Sequence, residues 1–223
     1  MTTGLGRPRL HLRETGSTNE RARALAVSGA PHGTVVTAAR QTAGRGRQGR
    51  AWSSPPGSLS LSLVVRGHDA LLPLRAGLAV ADVAGPGARV KWPNDVLVEG
   101  GKVAGVLAEG RPQEGWAVVG IGVNVAVEAA ALPAGARSLD LGADALEPAL
   151  ARLLGALEVR LGEPVAAALA AVRERDALAG RRVAWAQGAG TAAGIADDGG
   201  LRVRLDDGRE TVLGAGEVHL LDP

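Results

Sequence analysis

RVKWPNDVLVEGGKVAGVLAEGRPQEGWAVVGIGVNV, residues 89–125, divides into four apolar runs: Arg89 to Trp92, Val96 to Val98, Val103 to Glu109 and Trp116 to Val125. Pro, Asn, Asp and Gly separate them, and the β-branched content with this punctuation predicts four strands joined by tight turns. Both lysines of the chain, Lys91 and Lys102, fall inside this stretch. Two of its three asparagines, Asn94 and Asn124, do as well; the third is Asn19. Against a background of 23 arginines these are rare residues. Arginine cannot copy a compact ammonium on a flexible stem, and aspartate cannot copy an amide that both donates and accepts, so they mark candidate chemistry.

Upstream, SLSLSLVV from Ser58 sets Leu59, Leu61 and Leu63 against serines at period two, and GTVVTAA from Gly33 is a second strand candidate. Ser17 and Glu20 form an S-x-x-E capping box that predicts a helix running through Ala26 and stopping near Gly29. Residues 70–84 read as a helix ended by Gly85, Pro86 and Gly87. Downstream, residues 145–161 and 164–177 carry apolar side chains at helical spacing until Gly180 breaks the pattern. From Arg181 the texture becomes short apolar runs between Gly and Asp-Gly turns such as Asp207-Gly208. The expectation is a mixed α/β domain over residues 1–178 and a small β-barrel over residues 179–223.

The 223 residues are 46% hydrophobic and 22% charged, the balance of an ordinary globular chain. Cysteine is absent, which removes disulfides, thiolate metal sites and sulfur nucleophiles. The start, MTTGLGRPRLHLRETGS, lacks a signal-peptide core, and no apolar run reaches the ~18 residues needed to span a bilayer. A soluble cytoplasmic protein without a membrane partner is expected. Net charge is only +2, so charge alone is a weak argument for nucleic acid.

Gly44-Arg45-Gly46-Arg47-Gln48-Gly49-Arg50 exposes backbone N–H groups and adds three positive charges, a composition suited to phosphate. It matches G-x-G-x-x-G, yet Ala51-Trp52-Ser53-Ser54-Pro55-Pro56 follows, which cannot open the helix a dinucleotide fingerprint requires. No G-K-[ST] closes it as a Walker loop. By itself the loop suits a mononucleotide or, with Trp52 as a stacking platform, a nucleic acid.

Four segments in order resemble a known family: E-x-x-S-T-N at Glu14 to Asn19, Q-x-x-G-R-G-R-x-G-R-x-W at Gln41 to Trp52, K-W-P-N-D from Lys91 with K-x-x-G from Lys102, and G-I-G-x-N-V from Gly120. The chain is similar to biotin protein ligases. The resemblance covers about residues 14–125, and Gly214 to Leu220 looks like the last strand of the family's C-terminal domain. It implies a catalytic domain related to class II aminoacyl-tRNA synthetases and lipoate ligases, followed by an SH3-like barrel. The implied reaction joins biotin and ATP into biotinyl-5′-AMP, with Mg²⁺ accompanying the nucleotide, then passes biotin to a lysine on the biotin carboxyl carrier domain of a carboxylase. Only 13 residues precede Glu14, too few for the winged helix of repressor-type relatives, so DNA binding is not expected.

By the same resemblance Arg47 neutralises the biotin carboxylate and α-phosphate, Arg45 with Gly46 closes the loop, and Lys102 polarises the acyl carbonyl. Ser17, Thr18, Asn19 and Gln41 would meet the ureido ring. Trp52 and Asn124 would hold adenine, with Arg50 and Lys91 among the ATP contacts. Asp95 has three candidate tasks: holding Lys91, holding a ribose hydroxyl, or accepting the proton of the incoming lysine. His11, His32, His68 and His219 are scattered without metal-ligand spacing, and no G-x-S-x-G supplies an acyl-enzyme nucleophile. Two other readings stand beside this one: a lipoate-type ligase of the same fold, and a non-catalytic biotin- or nucleotide-binding protein.

Overall fold

A computed structural model describes residues 4–221. Seven strands form one sheet: β1 (Arg9–Thr15), β2 (Val35–Gln41), β3 (Ser58–Arg66), β4 (Arg89–Lys91), β5 (Asp95–Val98), β6 (Gly101–Arg111) and β7 (Trp116–Asn124), in the order β1-β2-β3-β7-β6-β5-β4. β1 and β2 are parallel and all other neighbours antiparallel. A parallel pair needs a crossover, which α1 (Thr18–Val27) supplies. This is the mixed α/β architecture that the alternation of elements predicts.

Period two assigns the faces of the sheet. On one face Leu59, Leu61, Leu63 and Val65 of β3 join Ala117, Val119, Ile121 and Val123 of β7 in a core covered by α2 (Leu72–Ala84), α3 (Leu146–Gly162) and α4 (Val165–Glu174). On the other, Val64 and Val118 pack with Ala22 and Ala26 of α1. The same parity also carries Ser58, Ser60, Ser62 and Arg66 on β3, and Trp116, Gly120, Gly122 and Asn124 on β7. Both faces are buried, so the serine and glycine face is an interior wall rather than a solvated one.

β1 has no counterpart among the elements read from the sequence. Its side chains are mostly exposed, so the chain gives no alternating hydrophobic signal there. The capping box also differs: Ser17 stands at the N-cap with φ −149°, but its side chain makes no capping bond. Gln41 Oε1 takes the Thr18 backbone N–H at 2.8 Å instead, satisfying one of the helix's open donors from β2. The helix predicted to reach residue 177 stops at Glu174, because residues 175–177 cover the β4 edge: Val90 N–H donates to Arg175 O at 2.8 Å and Ala177 N–H to Val90 O at 3.0 Å.

A second, all-antiparallel sheet contains β8 (Arg182–Trp185), β9 (Gly188–Ile195), β10 (Leu201–Arg204), β11 (Glu210–Leu213) and β12 (His219–Leu220), ordered β11-β10-β9-β8-β12. Its Val183, Ile195, Leu201 and Val203, with Val218 just before β12, belong to the same buried cluster as the helices behind the large sheet. Residues 214–218 are not strand, contrary to the expectation for Gly214 to Leu220; only His219–Leu220 pairs, with β8. The preceding segment reaches the Gly/Arg loop. Among the described residues no helix is long and apolar enough to cross a membrane.

Candidate active site

A narrow pocket of about 100 Å³ lies on the α1 face of the large sheet. Ser17, Thr18 and Asn19 at the start of α1 form one wall, the loop from Arg45 to Trp52 another, and Lys102 with Asn94 the end. Gly105, Gly120 and Gly122 make the floor. A Cβ on Gly122 would stand 2.2 Å from the Trp52 ring, and one on Gly120 would stand 2.1 Å from Asn19 Oδ1, so the floor must be bare for those side chains to lie where they do.

The polar wall is a connected network. Gln41 Oε1 accepts from the Thr18 N–H at 2.8 Å and lies 3.1 Å from the Thr18 hydroxyl, while Gln41 Nε2 donates to Ser60 Oγ at 3.3 Å. Ser62 Oγ lies 2.8 Å from Thr18 Oγ1 and donates to Asn19 Oδ1 at 2.6 Å. Asn19 Nδ2 donates to Glu109 Oε2 at 2.7 Å and to Leu107 O at 3.3 Å. Asn19, expected to supply donors to a ligand, lines the pocket, and its Nδ2 donates to these two protein acceptors.

At the other end the β5–β6 hairpin carries the charges. A register shift in that hairpin, opposite Val96 and Leu97, brings the Lys102 Nζ within 2.7 Å of Asp95 Oδ1. The same Nζ lies 5.6 Å from the centroid of the Trp52 ring, in cation–π range. Asp95 therefore partners Lys102; Lys91, its cross-strand neighbour in register, lines with it a recess that also holds Arg50 and Glu217. Trp52 Nε1 is buried and has no hydrogen-bond partner among the described residues.

Arg47 donates to Asn94 Oδ1 at 3.4 Å and to Gly216 O at 3.1 Å, and burial pushes its guanidinium below the usual value while Asp95 opposes the shift. It remains a cation, as arginine does in proteins. Arg45 bridges to Ala51, and Gly46 N–H donates to Arg50 O at 2.7 Å, folding the loop into a small hairpin. Its tip holds Gln48 at φ 54° and Gly49 at φ 75°, consecutive positive values that an all-β-branched loop would resist. Arg50 pairs with Glu217 at 2.6 Å.

Behind the Trp52 ring is a second recess, bounded by Lys102, Asn124, Leu132, Pro133 and Ala136. Asn124 Nδ2 donates one of its protons to Arg137 O at 3.0 Å. Ser17, Thr18, Asn19, Gln41, Arg45, Gly46, Arg47, Arg50, Trp52 and Lys102 thus converge on the first pocket, Asn124 on the second, and Lys91 on neither. Trp52 and Lys102 border both. Sequence reasoning assigned no task to Asn94, whose Nδ2 donates to Val106 O at 2.8 Å while its oxygen meets Arg47, nor to Ser60, Ser62 and Glu109. The rarity of asparagine and the serine alternation were the available signals.

A mixed sheet with a glycine floor, a polar wall and a Gly/Arg loop over a lysine–aspartate pair is the frame of a ligase that brings an acid and a nucleotide together. The sequence profile of the Biotin/lipoate A/B protein ligase family matches residues 12–125, and the chain belongs to that family. It is 41% identical over 236 residues to the biotin--[acetyl-CoA-carboxylase] ligase of Mycobacterium tuberculosis, covering 93% of this chain and 87% of the relative. It is 38% identical to the enzyme of the same name from Paracoccus denitrificans, covering 93% and 98%. Among solved structures, the Aquifex aeolicus biotin protein ligase in complex with biotin and ATP superimposes with a TM-score of 0.80 at 28% identity, over 95% of this chain and 97% of that one.

Proposed function

We propose that this chain is a biotin protein ligase, which condenses biotin with ATP to biotinyl-5′-AMP and pyrophosphate and then moves the biotinyl group to a lysine. The observation that carries the reading is the place of the Lys102 ammonium: paired with Asp95 and beside Trp52, it stands where the polar-walled pocket and the second recess meet. A reaction between two anions needs its fixed charge at that junction.

In the first step a carboxylate oxygen of biotin attacks the α-phosphorus, the bond to the β-phosphate oxygen breaks, and pyrophosphate leaves. Ser17, Thr18 and Gln41 hold the ureido ring, whose polar groups are costly to bury unpaired. Arg47 and Lys102 offset the repulsion between carboxylate and phosphate. Arg45 and Gly46 close the loop and exclude water from the mixed anhydride. Adenine lies in the recess behind Trp52, where the Asn124 oxygen accepts from its amino group; Arg50 and Lys91 face the outgoing phosphates. In the second step the lysine amine attacks the acyl carbon and AMP leaves, with Lys102 following the charge on the carbonyl oxygen. Asp95 holds Lys102 and receives the proton of the attacking amine.

Mg²⁺ belongs to this reading as a companion of the ATP phosphates, which supply the hard oxygen ligands it prefers. The acceptor is the biotin carboxyl carrier domain of a carboxylase, the setting is the cytoplasm, and neither DNA nor a membrane is a partner. Residues 1–178 form the catalytic domain in this reading and residues 179–223 an SH3-like one. Incubating the protein with Mg²⁺-ATP, a carrier domain, and biotin or lipoate tests it. A biotin-sized, ATP-dependent mass gain on the acceptor lysine alone is expected; a gain with lipoate only, or binding without transfer, refutes it.

A further inference from the structure

We propose that Glu109 is a positioning residue that sets the direction of hydrogen bonding along the polar wall and thereby the fit of the ureido ring; this rests on the ligase reading above. Glu109 lies on β6, half-buried, and its Oε2 accepts from Asn19 Nδ2 at 2.7 Å. A carboxylate only accepts, so it dictates which end of the Asn19 amide faces it. With Nδ2 held there and by Leu107 O, Oδ1 is left to Ser62, whose fully buried hydroxyl donates its single proton across 2.6 Å.

Having spent that proton, Ser62 can only accept from the Thr18 hydroxyl 2.8 Å away, and the Thr18 proton is left to Ser62 and to Gln41 Oε1. Gln41 Oε1 already takes the Thr18 backbone N–H, which fixes the second amide as well. Gln41 thus presents its donor end, Nε2, toward Ser60 and the pocket. One negative charge orders Asn19, Ser62 and the Thr18 hydroxyl in series, each polarising the next, while the Thr18 backbone N–H fixes Gln41 at the far end. A cyclic urea carries one acceptor and two donors in fixed directions, so it binds well only to a wall whose own directions are fixed. Glutamine at 109 keeps the shape but can donate or accept, so the Asn19 amide is left to the longer bond with Leu107 O and its direction is weakened.

The test compares wild type with Glu109→Gln, with folding checked by thermal melting. Biotin KM, ATP KM and kcat are measured, together with inhibition by a tetrahydrothiophene pentanoate that keeps the ring and acid but has no urea. The expected result is a biotin KM raised about five- to fiftyfold, the range for leaving a buried polar group mispaired. Inhibition by the urea-free acid, ATP KM and kcat stay as in wild type. An unchanged biotin KM overturns the proposal, as does equal weakening of biotin and the urea-free acid, which would mark a merely structural role. A wild-type chain that transfers no biotin brings down the ligase reading and this inference with it; wild-type transfer matched by the variant brings down this inference alone.

Discussion

The ammonium of Lys102 stands 2.7 Å from the carboxylate of Asp95, its nearest charged partner, and 5.6 Å from the centre of the Trp52 ring. One point charge is thereby fixed by an anion on one side and an aromatic face on the other. Lys102→Ala is expected to lower the rate of biotin-dependent pyrophosphate release by roughly a hundred- to a thousandfold, about 3–4 kcal/mol, the usual loss on removing a donor aimed at developing charge. Release near the wild-type rate would end the assignment. Lys102→Arg is not expected to rescue, since a planar fork cannot replace a compact charge.

Trp52 stacks on a floor that only glycine permits. Trp52→Ala is expected to raise the ATP KM about five- to a hundredfold, as loss of one base–aromatic stack does, while biotin binding measured without nucleotide changes less. Gly122→Ala, whose Cβ would stand 2.2 Å from the ring, should produce the same ATP defect by displacing the indole, visible in tryptophan fluorescence. Normal ATP use in both variants would place adenine elsewhere.

Glu217 pairs with Arg50 across a gap open to solvent, with side chains 31% and 55% exposed. Such a pair contributes at most about 1 kcal/mol to stability. Glu217→Gln should therefore leave the melting temperature nearly unchanged yet raise the ATP KM severalfold by loosening the loop tip. A large melting shift with unaltered kinetics would show the pair to be structural only.

Asp176 lies where α4 gives way to the second sheet, and burial pushes its carboxyl above the ordinary value, against hydrogen bonds from the Leu178 and Ala179 backbone. The folded chain then binds its proton more tightly than the unfolded chain. Stability is lost as pH rises from the unfolded to the folded pKa, and the penalty is absent below both. In melting curves across pH, the difference between Asp176→Asn and wild type should move in favour of the variant as pH climbs through that window. A pH-independent difference would refute the linkage.

Much of the site was legible because rare residues and period two report directly on it. Lys102, Asn94 and Asn124 stand out in a chain rich in arginine, and the serines of SLSLSL lie on the wall that the alternation implies. What was not legible depends on distant partners. Ser17 and Glu20 look like a local cap, but the Ser17 side chain makes no capping bond, and Gln41, 23 residues beyond Thr18, accepts the Thr18 N–H at that helix start. Asn19 looks like a ligand donor, and nothing near it in the chain announces its bond to Glu109, 90 residues away. β1 escaped notice because an exposed edge strand needs no hydrophobic alternation.

The bond from Arg47 to the Gly216 carbonyl closes a loop of 169 residues. During synthesis, N-terminal elements emerge and fold first. A nascent chain that has released the large sheet already owns its polar wall, its glycine floor and the Lys102–Asp95 pair. Its arginine loop, however, has nothing at residue 216 to fasten to until the second sheet is almost wholly made. Chain elongation therefore acts as a timer: the loop gains its anchor only after translation has passed residue 216.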